Sequence, residues 1–262
     1  MKKLISLSLA LLCVCLLVLP VMATEESLPC IYVSVSDENG DLVLAYASIG
    51  LADLDGDGNL TINDALIGAH REQYKDGENG YASEESQYGL SMTKLWGAET
   101  GAYGYYVNNA SPQSLLDPVK YGDHIQAFVY TDTAAFSDTY SFFKKNTMEV
   151  KVNDTVTLDL TKLVYDENWN IVGKPVAGAD ILVNGEKIGV KTDENGVATF
   201  VLKAGGEVIV SAVSEEENLV PPVCIIHSDA SIYVAMTVLA VLAIAVIAVI
   251  TVLFLKKKQK NA

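Results

Sequence analysis

The chain has 262 residues and a formal net charge of −15, from 33 acidic and 18 basic residues. That length gives room for one or two domains. Polyanions repel so acidic a protein, and the charge therefore argues against nucleic acid and anionic lipid as partners.

Both ends of the chain carry apolar segments. A basic start, an apolar run and small residues form the pattern of a secretory signal peptide, which we predict for residues 1–23. Residues 232–255 carry no charge and would form a helix of about 36 Å, enough to cross a hydrocarbon core of about 30 Å. The lysine-rich residues 256–262 follow as a basic cytoplasmic tail. The positive-inside rule thus predicts a single-pass cell-membrane protein with an extracellular N-terminal part.

Removal of the predicted signal peptide leaves two cysteines, Cys30 and Cys224, one near each end of the remaining extracellular part. An oxidising compartment permits a disulfide between them but does not demand one. Two buried free thiols agree with the sequence at least as well, so the pairing stays open.

The first predicted elements are two strands and a helix. Residues 31–35 alternate apolar and polar side chains, and residues 42–49 return as a second strand after a hairpin turn. Residues 62–70 show helical spacing, with Asn63 or Asp64 as the N-cap. Two strands, a helix and further strands in this order predict an α+β domain.

The segment between the second strand and the helix, residues 53–64, has the spacing of an EF-hand-type calcium loop. Calcium is a hard cation that takes six to eight oxygen ligands, and Gly58 allows the sharp turn that brings them together. An ordinary acidic turn is the alternative, since Asp-Gly pairs also mark solvated loops. We expect Ca²⁺ as the cofactor, with these ligands along the loop: Asp53, Asp55, Asp57, Asn59, Thr61 and Asp64.

A glycine-rich stretch after the helix holds aromatic and amide side chains in close succession. Exposed groups of these kinds stack on sugars and peptides and bond to them, so the stretch is a candidate ligand-binding face. The alternative is that the rings fill the domain core, because alternation along a strand turns some of them inward. The candidate residues are Trp96, Tyr105, Tyr106 and Asn108.

The second half of the chain has a different sequence pattern, in which short runs of alternating apolar and polar residues are separated by turns. Strands at this spacing predict a β-sandwich over residues 139–228. The predicted strands begin at Met148, Thr155, Ala179, Gly196 and Glu207.

Three segments resemble known families. The runs Gly-Tyr-Tyr-Val-Asn at 104–108 and Val-Lys-Tyr-Gly-Asp-His-Ile at 119–125 resemble the transcobalamin C-terminal-like domain, a β-grasp-type module, over residues 30–131. The calcium loop with its helix, residues 53–70, resembles one repeat of a dockerin. The run Thr-Asp-Glu-Asn-Gly-Val-Ala-Thr-Phe at 192–200 resembles the Ig-like repeats of bacterial surface proteins, which serve as spacers.

The predicted fold class is therefore an α+β β-grasp-like head domain plus an all-β Ig-like sandwich, with one C-terminal transmembrane helix. The head domain covers residues 24–138 and includes the calcium loop, and the sandwich covers residues 139–228. The predicted transmembrane helix, residues 232–255, follows the sandwich.

The sequence gives no sign of catalysis. The three histidines, His70, His124 and His227, share no local motif with a Ser or Cys nucleophile. We therefore predict a non-catalytic, calcium-binding, membrane-anchored bacterial surface protein that acts as an adhesion or ligand-binding module. Its ligand would be an extracellular protein, a glycan or a small molecule. The transcobalamin-like resemblance implies a corrinoid-type ligand as one alternative, and the dockerin-like resemblance implies a cohesin-type partner as another.

Overall fold

The computed structural model describes residues 29–229, together with residues 241, 242 and 245. Its apolar side chains gather into two large cores, one from residues 31–129 and one from residues 143–226. We call the first part the N-terminal unit and the second part the sandwich. The boundary between domains that the sequence places after residue 138 stays a prediction.

A four-stranded sheet forms the base of the N-terminal unit. Its central strands, β1 (Cys30–Ser36) and β6 (His124–Val129), run parallel, and their partners β2 (Leu42–Gly50) and β5 (Tyr103–Val107) lie antiparallel at the two edges. The period-two alternation of β1 buries its apolar residues against the core. Strands far apart in the sequence thus become neighbours at the centre of the sheet.

One α-helix, α1 (Ile62–Gln73), covers this sheet within residues 29–229. Helical spacing places Ile62, Leu66 and Ala69 in the core with no exposed surface. The N-cap is Thr61, which corrects the predicted N-cap at Asn63 or Asp64. The reason is chemical, because Thr61 and Asp64 satisfy each other's backbone N–H groups in a capping box.

A short hairpin follows the helix. A 3₁₀ turn (Gly77–Gly80) leads into β3 (Ala82–Ser86), which pairs with β4 (Gly89–Lys94). Strand β3 is polar and mostly exposed, so it carries little apolar signal from which a strand could be predicted. Strand β4 is mostly half-buried and packs Leu90 and Met92 against the first core.

Two sheets form the sandwich and enclose the second core. Their strands are β7 (Thr139–Phe143), β8 (Thr147–Lys151), β9 (Thr155–Tyr165), β10 (Ile171–Pro175), β11 (Asp180–Val183), β12 (Glu186–Lys191), β13 (Val197–Val201), β14 (Gly206–Val213), β15 (Leu219–Val220) and β16 (Cys224–Asp229). The first sheet has the order β10-β9-β7-β15, with β13 also paired to β9, and the second has the order β12-β11-β14-β16-β8. Alternate residues of both sheets point inward, as two facing sheets require.

Strand β16 completes the second sheet between β14 and β8. Its first residue, Cys224, is fully buried, and burial raises the pKa of this thiol to about 12. Cys30 is half-buried, and both cysteines are free thiols. Of the two arrangements that the sequence left open, the structure therefore shows unpaired thiols.

The N-terminal unit and the sandwich meet in a third apolar cluster, which we call the junction. Its buried members are Phe128 of β6, Tyr140 of β7 and Val220 of β15. The ring of Tyr106 stacks on that of Tyr140 with 3.7 Å between centroids. Such stacked aromatic pairs add to the free energy gained by burying their surface.

Polar contacts accompany the rings at the junction. The Gln126 side chain donates to the carbonyl of Pro221 at 2.7 Å, and the Tyr140 hydroxyl lies 3.0 Å from the Asn109 amide oxygen. Because these groups are otherwise cut off from water, their pairing fixes how the two parts meet.

The predicted fold class is wrong. Of the residues that the structure describes, 49% are strand and 9% are helix, so this part of the chain is mostly β and the α+β description does not hold for it. The single twelve-residue helix of residues 29–229 covers one sheet, whereas strands supply both sides of the sandwich and the base of the N-terminal unit. The helix dominated the prediction because its apolar periodicity is strong, whereas several short polar strands have little apolar periodicity.

The predicted membrane anchor and cell-membrane location are also corrected. Among the residues that the structure describes, no helix is both long and apolar enough to cross a membrane. Only residues 241, 242 and 245 of the predicted span 232–255 are among them. The predicted signal peptide 1–23 and basic tail 256–262 lie outside the described residues.

The junction yields a stability prediction. Replacing Tyr140 by Ala removes a buried ring and should lower the free energy of unfolding by about 3–5 kcal/mol. Replacing Tyr140 by Phe removes only the hydroxyl and should cost about 1 kcal/mol. Urea unfolding followed by circular dichroism measures both; equal losses for the two variants would contradict the dominant role of the ring.

Candidate metal centre

Three carboxylates meet in the loop between β2 and α1. One oxygen from each of Asp53, Asp55 and Asp57 lies within 4.8 Å of the others, and all three side chains are exposed. Two glycines of the loop, Gly56 and Gly58, have φ of +80° and +87°, which side chains with a Cβ rarely adopt. The tight turning that they permit brings alternate residues of the loop to one side.

Backbone N–H groups of the loop itself hold these carboxylates. Gly56 N–H donates to Asp53 at 2.7 Å, Asp57 N–H to Asp55 at 3.2 Å, and Asn59 N–H to Asp57 at 2.7 Å. A carboxylate oxygen has two lone pairs, so an oxygen that accepts one N–H can still face a cation. The loop therefore orients its acidic groups without using up their capacity to bind.

Asp64 has a different role from the other predicted ligands. Its carboxylate is buried and accepts from the backbone N–H groups of Leu54 at 2.6 Å and Thr61 at 2.9 Å. It also accepts from the Thr61 hydroxyl at 2.7 Å and the Asp55 N–H at 3.3 Å. Asp64 thus ties the start of the loop to the start of the helix, away from the cluster of three.

Asn63 is a residue of this region whose role the sequence analysis missed. Its buried amide donates to the Asp55 carboxylate at 2.8 Å, while its oxygen accepts from the Tyr81 and Ser83 hydroxyls at 2.8 and 2.9 Å. Asn63 therefore couples the acidic cluster to the hairpin beyond the helix. The signal in the sequence was a polar residue on the apolar side of a helix, which needs a hydrogen-bonding partner when buried.

The three carboxylates could hold a metal ion. Each supplies oxygen, which is the ligand that hard divalent cations prefer, and no nitrogen or sulfur ligand joins them in the described chain. The Thr61 side chain caps the helix, and the Asn59 amide donates to the Asp57 carbonyl at 3.5 Å. The structure thus brings together Asp53, Asp55 and Asp57, whereas ligation by the Asn59 backbone carbonyl and by Thr61 stays a prediction.

The predicted ligand-binding residues do not share one face. Trp96 is half-buried and packs edge-on against His70 and Tyr74, with 5.2 Å between ring centroids in each pair. Its backbone N–H donates to His70 Nε2 at 3.1 Å, while His70 Nδ1 lies 2.7 Å from the carbonyl of Leu66. Burial lowers the pKa of His70 to about 4, against the opposing effect of the Leu66 hydrogen bond.

Neighbouring strand residues point to opposite sides of the sheet. Tyr105 packs against the core under α1, whereas Tyr106 stacks on Tyr140 at the junction. Asn108 ends the strand at φ +49°, and its amide donates to Asp123 while its oxygen accepts from the backbone N–H of His124. Tyr105 and Tyr106 therefore pack inside the fold, and Asn108 fixes the end of its strand.

A serine, a histidine and an asparagine meet at the junction. His124 Nε2 lies 2.9 Å from Ser34 Oγ, and His124 Nδ1 lies 3.2 Å from Asn146 Nδ2. Because an amide nitrogen only donates, Nδ1 accepts and the ring proton sits on Nε2, directed at Ser34. Ser34 Oγ also accepts the N–H of Tyr46 at 2.9 Å and has no exposed surface. This trio lacks both the base orientation and the access that a nucleophilic serine needs.

The comparisons with known proteins give little beyond this. No family model matches the chain, and no curated protein matches it. One similar solved structure is the D0-D1 domain of Intimin, 14% identical, with 75% of this chain and 97% of that chain covered and a TM-score of 0.26. A likeness at that score carries no argument, although a mostly β chain is consistent with the Ig-like texture expected of the sandwich. The transcobalamin-like and dockerin-like resemblances gain no support.

The two buried histidines predict how stability depends on pH. Burial lowers the pKa of His124, like that of His70, to about 4. The unfolded chain binds these protons near pH 6.5, so the stabilisation is complete above pH 6.5 and is lost as the pH falls towards 4. Each histidine should lower the free energy of unfolding by about 1.4 kcal/mol at pH 5.5 relative to pH 7.5.

Urea unfolding at pH 7.5, 6.5 and 5.5 measures this loss. A His124→Gln variant should be less stable at pH 7.5 but should show about half of the pH dependence. His227→Gln serves as the control, because His227 is exposed and its removal should leave the slope unchanged. A flat profile of the unmodified chain above pH 5.5 would contradict the buried, neutral state of both rings.

Proposed function

We propose that this chain is a non-catalytic binding module of the adhesion type, whose N-terminal unit is stabilised by calcium at Asp53, Asp55 and Asp57. The observation that carries the proposal is the convergence of these three exposed carboxylates in a loop with two glycines at positive φ. Without a cation, three negative charges at such separations repel one another, although water and salt screen that repulsion. A bound cation replaces the repulsion by attraction.

Calcium is the cation that this ligand set suits best. The ligands are oxygen atoms only, on a solvent-exposed loop that leaves room for water in the remaining coordination positions. Calcium accepts six to eight oxygens in variable geometry, whereas magnesium demands a near-ideal octahedron and gives up its water reluctantly. An open loop of this kind therefore favours calcium over magnesium.

Stabilisation by calcium would reach well beyond the loop. Asp55 is hydrogen-bonded to Asn63, which in turn holds Tyr81 and Ser83. Asp64 ties the loop to the first turn of α1. An ion that fixes the three carboxylates would thus restrain the helix start and the following hairpin together.

The non-catalytic part of the proposal rests on the histidines. The two buried rings are engaged in structural hydrogen bonds, and Ser34 beside His124 is out of reach of a substrate. A general base must reach the proton that it removes, and both of these rings are enclosed by the fold. The chain is therefore better suited to presenting surfaces than to reacting with a ligand.

A melting experiment tests the calcium site. The full chain should melt at a higher temperature in 1 mM calcium than in excess chelator, because a ligand that binds only the folded state stabilises it. The gain is about 2.7 kcal/mol at a hundredfold excess over the dissociation constant. Asp57→Asn removes one charge but keeps an oxygen for the Asn59 N–H, so it should abolish most of the difference without unfolding the loop.

The matched control is Glu38→Gln, which makes the same charge change on an exposed turn outside the cluster. It should leave the calcium-dependent shift intact. Coincident melting curves with calcium and with chelator would overturn the metal site, and the same loss of shift in both variants would point to unspecific charge screening. Magnesium at equal concentration should give a smaller shift than calcium.

A further inference from the structure

One four-residue sequence pattern occurs three times in this chain at tight turns. Residues 37–40 and 193–196 read Asp-Glu-Asn-Gly, whereas residues 166–169 read Asp-Glu-Asn-Trp. Residues 166–169 lie at the tip of the β9–β10 hairpin and differ from the other two segments by a single exchange, in which tryptophan stands in the place of glycine.

The three turns have the same geometry. In each, the first aspartate accepts the N–H of the asparagine two residues later: Asn39 at 2.9 Å, Asn168 at 2.8 Å and Asn195 at 2.9 Å. In each, the carbonyl of that aspartate accepts the N–H of the fourth residue, at 3.0, 3.0 and 2.9 Å. The fourth residue has φ of +79° at Gly40, +63° at Trp169 and +75° at Gly196.

Trp169 is therefore a bulky residue in a backbone conformation that the same turn elsewhere gives to glycine. A side chain with a Cβ is strained there, and an observed outlier of this kind is a reason to look for function. Packing does not explain the exchange, since 81% of Trp169 is exposed. Its indole contacts the ring of Tyr165, itself 64% exposed, with centroids 6.1 Å apart.

A second loop nearby shows the same combination. Phe136, in the segment that joins the N-terminal unit to the sandwich, has φ of +52° and is 52% exposed. Asp132 holds this loop, accepting from the backbone N–H groups of Ala134 and Ala135 and from the Ser137 hydroxyl. Two strained aromatic residues are thus displayed to solvent by two turns, each built round an aspartate.

Tyr130 connects the two loops. Its ring meets that of Phe136 edge-on with 5.2 Å between centroids. Tyr130 packs against the junction together with Leu163 of β9, the strand that ends at Tyr165. Burial raises the pKa of Tyr130, and the nearby Asp138 carboxylate and Tyr165 phenol raise it further. We call the set Phe136, Tyr130, Tyr165 and Trp169 the aromatic platform.

The platform carries a negative charge. The two loops, residues 131–138 and 165–171, contain four acidic residues and no lysine or arginine. Hydrogen bonds, from Ser137 above all, lower the pKa of Asp132, and those from Asn170 lower the pKa of Asp166, so both stay ionised at neutral pH. Exposed aromatic faces beside carboxylates are what a cationic side chain recognises, by cation–π contact and by charge.

We propose that the aromatic platform binds a polypeptide segment that presents arginine or lysine side chains. Charge complementarity selects this occupant, because the platform is acidic and so is the chain as a whole, at −15. A glycan would also stack on the indole and could donate hydroxyl groups to the carboxylates, but their charge adds no net electrostatic attraction to a neutral sugar and repels an acidic one. This inference rests on the proposed function as a binding module and names the partner of that module.

The test uses the full chain and a fluorescein-labelled hexa-arginine peptide in 0.15 M salt with 1 mM calcium, followed by fluorescence anisotropy. Trp169→Gly installs the residue of the two sister turns and leaves the net charge unchanged, so unspecific attraction is preserved. It should weaken peptide binding about tenfold. Tyr88→Ala is the control, since Tyr88 is 90% exposed at a different hairpin tip, and it should bind like the unmodified chain.

Two further measurements make the result decisive. A hexa-citrulline peptide, the uncharged counterpart, should bind at least tenfold more weakly than hexa-arginine to the unmodified chain. Binding of hexa-arginine should also quench the fluorescence of Trp169, which is the part of the intrinsic fluorescence that the substitution Trp169→Gly removes. Because glycine relieves the strain at this position, the variant should melt at or above the temperature of the unmodified chain.

The inference would be overturned if Trp169→Gly and the unmodified chain bound hexa-arginine with equal affinity. It would also be overturned if the chain bound a glycan array through Trp169 and showed no preference for hexa-arginine over hexa-citrulline. That second outcome would still agree with a binding module. Failure of the calcium site has a separate signature, since the melting curves with calcium and with chelator would then coincide for every variant, while the difference in peptide binding between the variants would remain.

Discussion

The buried carboxylate of Asp64 is the interaction on which the N-terminal unit depends. It lies at the third position of α1, accepts the N–H of the N-cap Thr61 and reaches back to the N–H groups of Leu54 and Asp55. One side chain thus starts the helix and closes the acidic loop. A buried carboxylate is costly unless donors surround it, and here four donors do so. Its contribution is to hold Asp53, Asp55 and Asp57 in place while their own oxygens remain accessible to a cation.

A second constraint joins the two halves of the chain. The junction stacks Tyr106 on Tyr140, and beside it His124 is packed neutral between Ser34 and Asn146. These three residue types could form a catalytic trio, but here they are components of an interface, because the ring proton of His124 points at Ser34 and solvent is excluded. The same contacts couple the stability of the interface to the protonation of one imidazole.

The surface of the molecule displays two kinds of side chain, acidic ones and aromatic ones. Acidic residues are spread widely, in keeping with a net charge of −15, and most of them are solvated. Aromatic residues in strained backbone conformations are fewer, and at Tyr46 and Trp96 internal packing accounts for the strain. Phe136 and Trp169 each contact one other ring but stay largely exposed, so internal packing does not account for their strain, and recognition of a cationic partner gives it a reason.

Local patterns in the sequence were enough to locate the acidic loop, the helix after it and several strands, since each depends on spacing within about a dozen residues. The convergence of Asp53, Asp55 and Asp57 follows from that spacing and from the turn at Gly58. Tertiary structure decided the rest. It assigned Asp64 to the helix cap, turned Tyr105 and Tyr106 to opposite sides of a sheet, and made β16 a central strand of the sandwich. It also made the chain mostly β, against the α+β expectation. Burial, hydrogen-bonding partners and strand pairing all join residues that are distant in sequence, and a local pattern carries no information about which distant groups will meet.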